Sequence, residues 1–141
     1  MSSQTFRHRH RVTYAECTVG NHVYYGRYLE LLESARGEFF RQLDSSFLHW
    51  QTQDIIFPVV ECHLRYKAPA RYDDILDITL WPVFAQGVRL NFEFRVADAD
   101  GRVILDGQTH HVCTGLDEKP KRLPAELVAK LGPYLRKADG D

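Results

Sequence analysis

Apolar residues at Tyr28, Leu32, Ala35, Phe39 and Leu43 recur at intervals of four, three, four and four. That is the period of an α-helix, and it predicts one from Tyr24 to Leu43. Leu29, Leu31 and Phe40 widen the stripe, so the helix is expected to be buried on most sides. Glu30, Glu33, Arg36, Glu38 and Arg41 fill its polar positions. Gly37 inside it costs about 1 kcal/mol against Ala and permits close backbone packing. Asp44-Ser45-Ser46 ends the helix, and Phe47 to Trp50 makes a short extra turn.

Elsewhere the period is two. Thr5 to Tyr14 alternates after Phe6 and predicts a strand, followed by a turn-like stretch from Glu16 to His22 that carries Gly20 and Asn21. Phe57–Tyr66, Ile75–Trp81, Val88–Val96 and Val103–Cys113 predict four more strands. In the third of these the apolar face is Leu90, Phe92, Phe94 and Val96. Asp98-Ala99-Asp100-Gly101 is a hairpin signal, and the stretch from Ala68 to Asp74 is a turn or crossover stopped by Pro69. Pro124 opens a short amphipathic helix that runs to Leu131, and the tail from Arg136 is expected to fray. One long apolar helix and five antiparallel strands make an α+β domain, most simply packed with the sheet wrapped around the helix.

A chain of 141 residues fits a single domain spanning 1–141, with its core at about 6–131. Eighteen basic residues against nineteen acidic ones exclude a nucleic-acid binder driven by bulk charge. Cys17, Cys62 and Cys113 form no C-x-x-C pair, so neither a disulfide framework nor a zinc knuckle is indicated. The polar, basic N-terminus lacks the apolar stretch of a secretory signal, and no apolar run reaches spanning length. A cytoplasmic protein with no membrane span is the expectation. No H-E-x-x-H or acidic cluster appears, so no metal is expected. His110-His111 puts one ring on each sheet face, which prevents joint chelation.

Three segments carry a resemblance to a known family. The first is Tyr14-Ala15-Glu16-Cys17-Thr18, then Val23-Tyr24-Tyr25-Gly26-Arg27-Tyr28-Leu29, then Glu33-Ser34-Ala35-Arg36. The second is Pro58-Val59-Val60-Glu61 through Arg65-Tyr66, then Pro69-Ala70-Arg71-Tyr72-Asp73-Asp74. The third is Lys119-Pro120 with Leu123-Pro124. Together they resemble the hotdog-fold acyl-CoA thioesterases of the 4-hydroxybenzoyl-CoA thioesterase and YbgC type, over about residues 6 to 131. The resemblance implies a hotdog fold and hydrolysis of an acyl-CoA or acyl-carrier-protein thioester to free acid and thiol. It implies no cofactor beyond the coenzyme A of the substrate. It also implies a homodimer, often paired again into a tetramer, with active sites at the dimer interface.

Thioester hydrolysis needs a stabilised carbonyl oxygen, an activated water and a held acyl group. Backbone N–H groups at a helix start suit the first task. In hotdog enzymes the central helix supplies them, which here means Val23-Tyr24-Tyr25-Gly26. For the second task the family uses an Asp, and this chain has Thr18 in its place. The usual His after Val-Tyr is Tyr25, and the usual Gly three residues after the Asp is Asn21.

Three substitutes stand open. Val19-Gly20-Asn21-His22-Val23-Tyr24-Tyr25 is similar to a string in the enediyne-type hotdog thioesterases, which lack the acid. Those imply Thr18 orienting water, with charge stabilisation from Arg36 and the helix start. His22 is the second substitute, as a general base, since imidazoles titrate near neutral pH. Glu16 is the third, against a structural role at the strand end. Arg65, Lys67 and Arg71 are candidates for the phosphates of CoA. Tyr24, Tyr25, Phe47, Trp50 and Phe57 are candidates for an acyl tunnel. The competing reading is a hotdog protein that binds an acyl-CoA or acyl-carrier thioester without hydrolysing it. A hydratase reading lacks its His-plus-acid motif.

Overall fold

The computed structural model describes residues 3–137. Its elements run β1 (Phe6–Arg11), β2 (Cys17–Thr18), β3 (His22–Val23), α1 (Arg27–Gln42), α2 (Phe47–Thr52), β4 (Val59–Tyr66), β5 (Ile75–Gln86), β6 (Arg89–Ala97), β7 (Val103–Val112) and α3 (Ala125–Leu131). The five long strands form one antiparallel sheet in the order β1-β5-β6-β7-β4. The sheet curls around α1, which is the hotdog arrangement.

The alternation in β6 reads out as expected. Leu90, Phe92, Phe94 and Val96 point inward and are fully buried, beside Leu76, Ile78 and Leu80 of β5. From α1, Leu32, Ala35, Phe39 and Phe40 meet them, with the Phe39 ring 5.0 Å from Phe6 and 6.3 Å from Phe92. Each large side chain buried this way contributes roughly 1.5–3 kcal/mol. Leu29 departs from the expectation. It is 48% exposed, so the buried stripe of α1 does not extend to it.

Other expectations shift as well: β1 ends at Arg11 rather than Tyr14, and β4 starts at Val59 rather than Phe57. The helix starts at Arg27 rather than Tyr24, because Tyr24, Tyr25 and Gly26 form the turn leading into it. The stretch expected as a turn is a small hairpin, β2 against β3. Strand β5 runs on to Gln86 past Pro82. Its pairing with β1 ends at Leu80, and the β5–β6 register shifts between Pro82 and Phe84, the kind of edge and irregularity at which a strand tolerates a proline. Arg136, expected to fray, is held. Its N–H donates to the Pro82 carbonyl at 2.9 Å and its guanidinium lies 4.4 Å over the Trp81 ring. The rest of that tail, residues 138–141, lies outside the described residues.

Strand β4 is one of the two edges of the sheet. It pairs with β7 on one side only. Close approach of these two strands requires Gly107, where a Cβ would sit on the His63 carbonyl oxygen.

Candidate active site

The short loop between β2 and β3 turns at Val19-Gly20. The Asn21 N–H donates to the Thr18 carbonyl at 3.1 Å, and Gly20 has φ +98°, a value suited to the third position of a type II turn. Asn21 follows at φ +58°. Its side-chain oxygen accepts from the Tyr72 N–H at 3.2 Å, and its carbonyl accepts from the Arg71 guanidinium at 3.2 Å. The loop is thereby tied to the 68–74 crossover.

The same ties decide which amides at the helix start are free. The Val23 N–H donates to the Ala70 carbonyl at 2.8 Å, and the Tyr24 N–H to the Glu16 carbonyl at 3.0 Å. The N–H groups of Tyr25 and Gly26 have no acceptor among the described residues. Both stand at the positive end of a 16-residue helix. Of the four residues expected to offer amides, these two remain.

In front of the helix start lies a cavity of about 430 Å³, lined by Thr18, His22, Tyr24, Tyr25, Tyr66 and Lys67, with Tyr28 behind. The tyrosine rings hold one another. Tyr24 lies 4.7 Å from Tyr25, Tyr25 lies 6.2 Å from Tyr66, and the Tyr66 hydroxyl donates to the Tyr25 carbonyl at 3.1 Å. Burial pushes the Tyr28 phenol up to about 12 and raises Tyr66. The Tyr25 hydroxyl raises Tyr24. These three phenols therefore stay neutral and supply no base. The Thr18 hydroxyl reaches the carbonyls of Val19 (3.2 Å) and His22 (3.4 Å) as a donor, which leaves its oxygen lone pairs unused, and the residue lines the cavity.

The other expected site residues lie apart. The Glu16 carboxylate accepts from the Thr13 N–H at 2.8 Å and pairs with the His10 ring at 2.9 Å, closing a capping box. Burial would raise its pKa, but the Thr13 and His10 hydrogen bonds prevail and hold it low. Asn21 holds the loop. Arg65 and Lys67 share Asp106, at 2.9 and 3.4 Å, and Lys67 also lines the Thr18 cavity.

Arg36 stands nine positions beyond Arg27, about 14 Å along the helix. It lines a second cavity, of about 290 Å³, with Phe47, Phe57 and His111. Within one chain the structure does not bring Thr18 and Arg36 together. Trp50 is buried and lines neither cavity.

Sequence reasoning missed Tyr66 and His111 as cavity walls. The inward parity of His111 on an otherwise apolar strand face was the available signal. Its Nδ1 donates to the Phe57 carbonyl at 3.0 Å, so Nε2 accepts from the Thr109 hydroxyl at 2.9 Å. Burial pushes its pKa down to about 4. His110 does lie on the opposite sheet face, where Glu61 holds it at 3.3 Å and His63 at 2.9 Å. No group of three or more potential metal ligands is found among the described residues. No helix among them is long and apolar enough to cross a membrane.

A sheet wrapped on one long helix, with free amides and a cavity at the helix start, is the arrangement that the resemblance to the hotdog thioesterases leads one to expect. The solved structure of the hypothetical protein TT1821 from Thermus thermophilus has this fold, with a TM-score of 0.86 at 27% identity, covering 95% of this chain and 100% of that one. Residues 12–131 match the Thioesterase-like superfamily, and the chain belongs to that family. It is 31% identical to the acyl-CoA thioester hydrolase YbgC of Escherichia coli O6:H1 over 131 residues, 92% of this chain and 98% of that protein. It is 34% identical to the long-chain acyl-CoA thioesterase FadM of Escherichia coli K12 over 126 residues, 84% of this chain and 90% of that protein.

Proposed function

We propose that this protein hydrolyses an acyl-CoA thioester, or its acyl-carrier equivalent, to a free acid and a thiol, without a carboxylate base. The observation that carries the reading is the pair of free N–H groups at Tyr25 and Gly26, at the helix start beside a cavity that Tyr25 lines, in a chain of this family. The thioester carbonyl oxygen lies on these two groups. As water adds to the carbonyl carbon, the charge that develops on that oxygen meets fixed donors and the helix dipole. The Thr18 oxygen orients the water, and His22, in the same cavity, takes its proton. The tetrahedral intermediate then expels the thiol sulfur, which takes up a proton. Glu16 and Asn21 act as scaffold, because their polar atoms already hold the loop. Hydrolysis is favoured over binding alone by relatives named as hydrolases.

Lys67 at the cavity rim and Arg65 beside it suit the phosphates of CoA, while Arg71 braces the loop. Two copies join at β4. Its outer edge is unpaired, and Val60 is 54% exposed and Tyr66 48% exposed along it. An antiparallel pair of such edges closes the open flank of both cavities. The free thiols of Cys17, Cys62 and Cys113 fit a reducing cytoplasm. The test is release of free thiol from a panel of aliphatic and aromatic acyl-CoAs. Turnover of at least one class is expected, and no turnover above the uncatalysed rate on any of them overturns the reading.

A further inference from the structure

The second cavity has a composition that the chemistry at Thr18 leaves unexplained. Its walls are apolar, chiefly Phe40, Phe47, Phe57, Leu90 and Phe92. Into it points Arg36, which is only 8% exposed. No hydrogen bond or ion pair among the described residues takes up its N–H groups, and its nearest aromatic support is the Phe94 ring at 5.7 Å. Glu33 lines the rim but is exposed and forms no ion pair with it. Both ring nitrogens of His111 are already used. A guanidinium stays charged, and here its N–H groups keep a little accessible surface and no direct partner, with Glu33 attracting it only at longer range, so they remain available to an anion that enters the cavity. A planar fork of donors in an apolar pocket matches a carboxylate.

We propose that this cavity receives the far end of the acyl group, and that this end carries a carboxylate. The substrate class is then an ω-carboxyacyl thioester. This rests on the thioesterase reading and deepens it, because it names what the acyl group carries. The cavity volume of about 290 Å³ equals the liquid volume of about ten waters, room for a short chain end or a single ring rather than a long alkyl tail.

The test compares glutaryl-, adipoyl- and suberoyl-CoA with pentanoyl-, hexanoyl- and octanoyl-CoA. The wild type is expected to favour the carboxylated member of each pair in kcat/KM by tenfold to a hundredfold, in line with a charge-assisted hydrogen bond. Arg36→Gln is expected to collapse that ratio to near one, and Arg36→Lys to retain part of it. A second readout does not depend on turnover. Adipate should raise the melting temperature of the wild type more than hexanoate does, and Arg36→Gln should abolish the difference. Equal or better hydrolysis of the plain acyl-CoAs by the wild type overturns the proposal. So does an Arg36→Gln variant in which both series fall by the same factor, since Arg36 would then act on the shared thioester. Absence of all turnover counts against the thioesterase reading. Stabilisation by adipate that depends on Arg36 would still support the carboxylate site.

Discussion

His111 is held as a neutral imidazole in the wall of the Arg36 cavity, and acid should therefore unfold this protein earlier than its carboxylates alone would. Burial lowers its pKa from 6.5 to about 4, with added repulsion from Arg36 and His110, against the opposing pull of the Phe57 carbonyl. In the unfolded chain the ring takes a proton below about pH 6.5, whereas in the folded chain it does so only near pH 4. Between these values the unfolded state binds more protons, so stability is full above the window and falls as the pH drops through it. From pH 7 to pH 5 the loss amounts to about 2 kcal/mol. For a chain of this size that is roughly 4–8 °C in melting temperature. The Glu16 carboxyl, held below its ordinary value by the Thr13 and His10 hydrogen bonds, adds its own loss of stability at lower pH, so the measurement stays above that range. The assay is urea unfolding at pH 7, 6 and 5, at one protein concentration, for the wild type and His111→Gln. The Gln amide can still take the Thr109 hydroxyl and the Phe57 carbonyl but does not titrate. The stability difference between the two proteins should change by about 2 kcal/mol over this range. Parallel pH profiles would refute the assignment of a buried neutral ring.

Thr18→Asp should raise kcat/KM at least tenfold, because it adds a carboxylate base where water is held. An unchanged rate removes position 18 from the reacting water. Gly107→Ala should cost about 3 kcal/mol or prevent soluble expression, since the added Cβ meets the His63 carbonyl and lies 2.7 Å from Leu64 Cδ2. A melting temperature within about 2 °C of the wild type would contradict the close β4–β7 packing. Val60→Lys on the open edge should shift sedimentation from dimer to monomer and lower turnover with it. A dimer that persists unchanged would place the interface elsewhere.

Most of the fold was legible because its two periods are clean. The inward face of β6 and the Tyr28-Leu32-Ala35-Phe39 stripe repeat without interruption, and both end in the core. What misled was local. Leu29 reads as core by composition, but the buried stripe of α1 does not extend to it. The helix start shifted by three residues because Tyr24 and Val23 give their amides to Glu16 and Ala70, partners that sequence spacing does not reveal. The site was half legible. Thr18, His22, Tyr24 and Tyr25 are close in sequence and close in space. Arg36 is near them in sequence too, yet the rise of a helix carries it into another cavity. His111 came from β7, and only its parity on that strand hinted at an inward ring.

The central claim is that the amides at the start of α1 stabilise the reacting carbonyl oxygen, and the most direct test compares two substitutions at Gly26. Its φ of −68° suits proline, which is also tolerated at a helix start. Gly26→Ala and Gly26→Pro both add a Cβ against the Tyr24 ring, but only proline removes the N–H. The measurement is the ratio of their kcat/KM values for thiol release, taken with melting temperatures to confirm folding. The Ala variant is predicted to exceed the Pro variant by about a hundredfold, the effect of one lost donor. Equal rates in two equally folded variants would contradict the account.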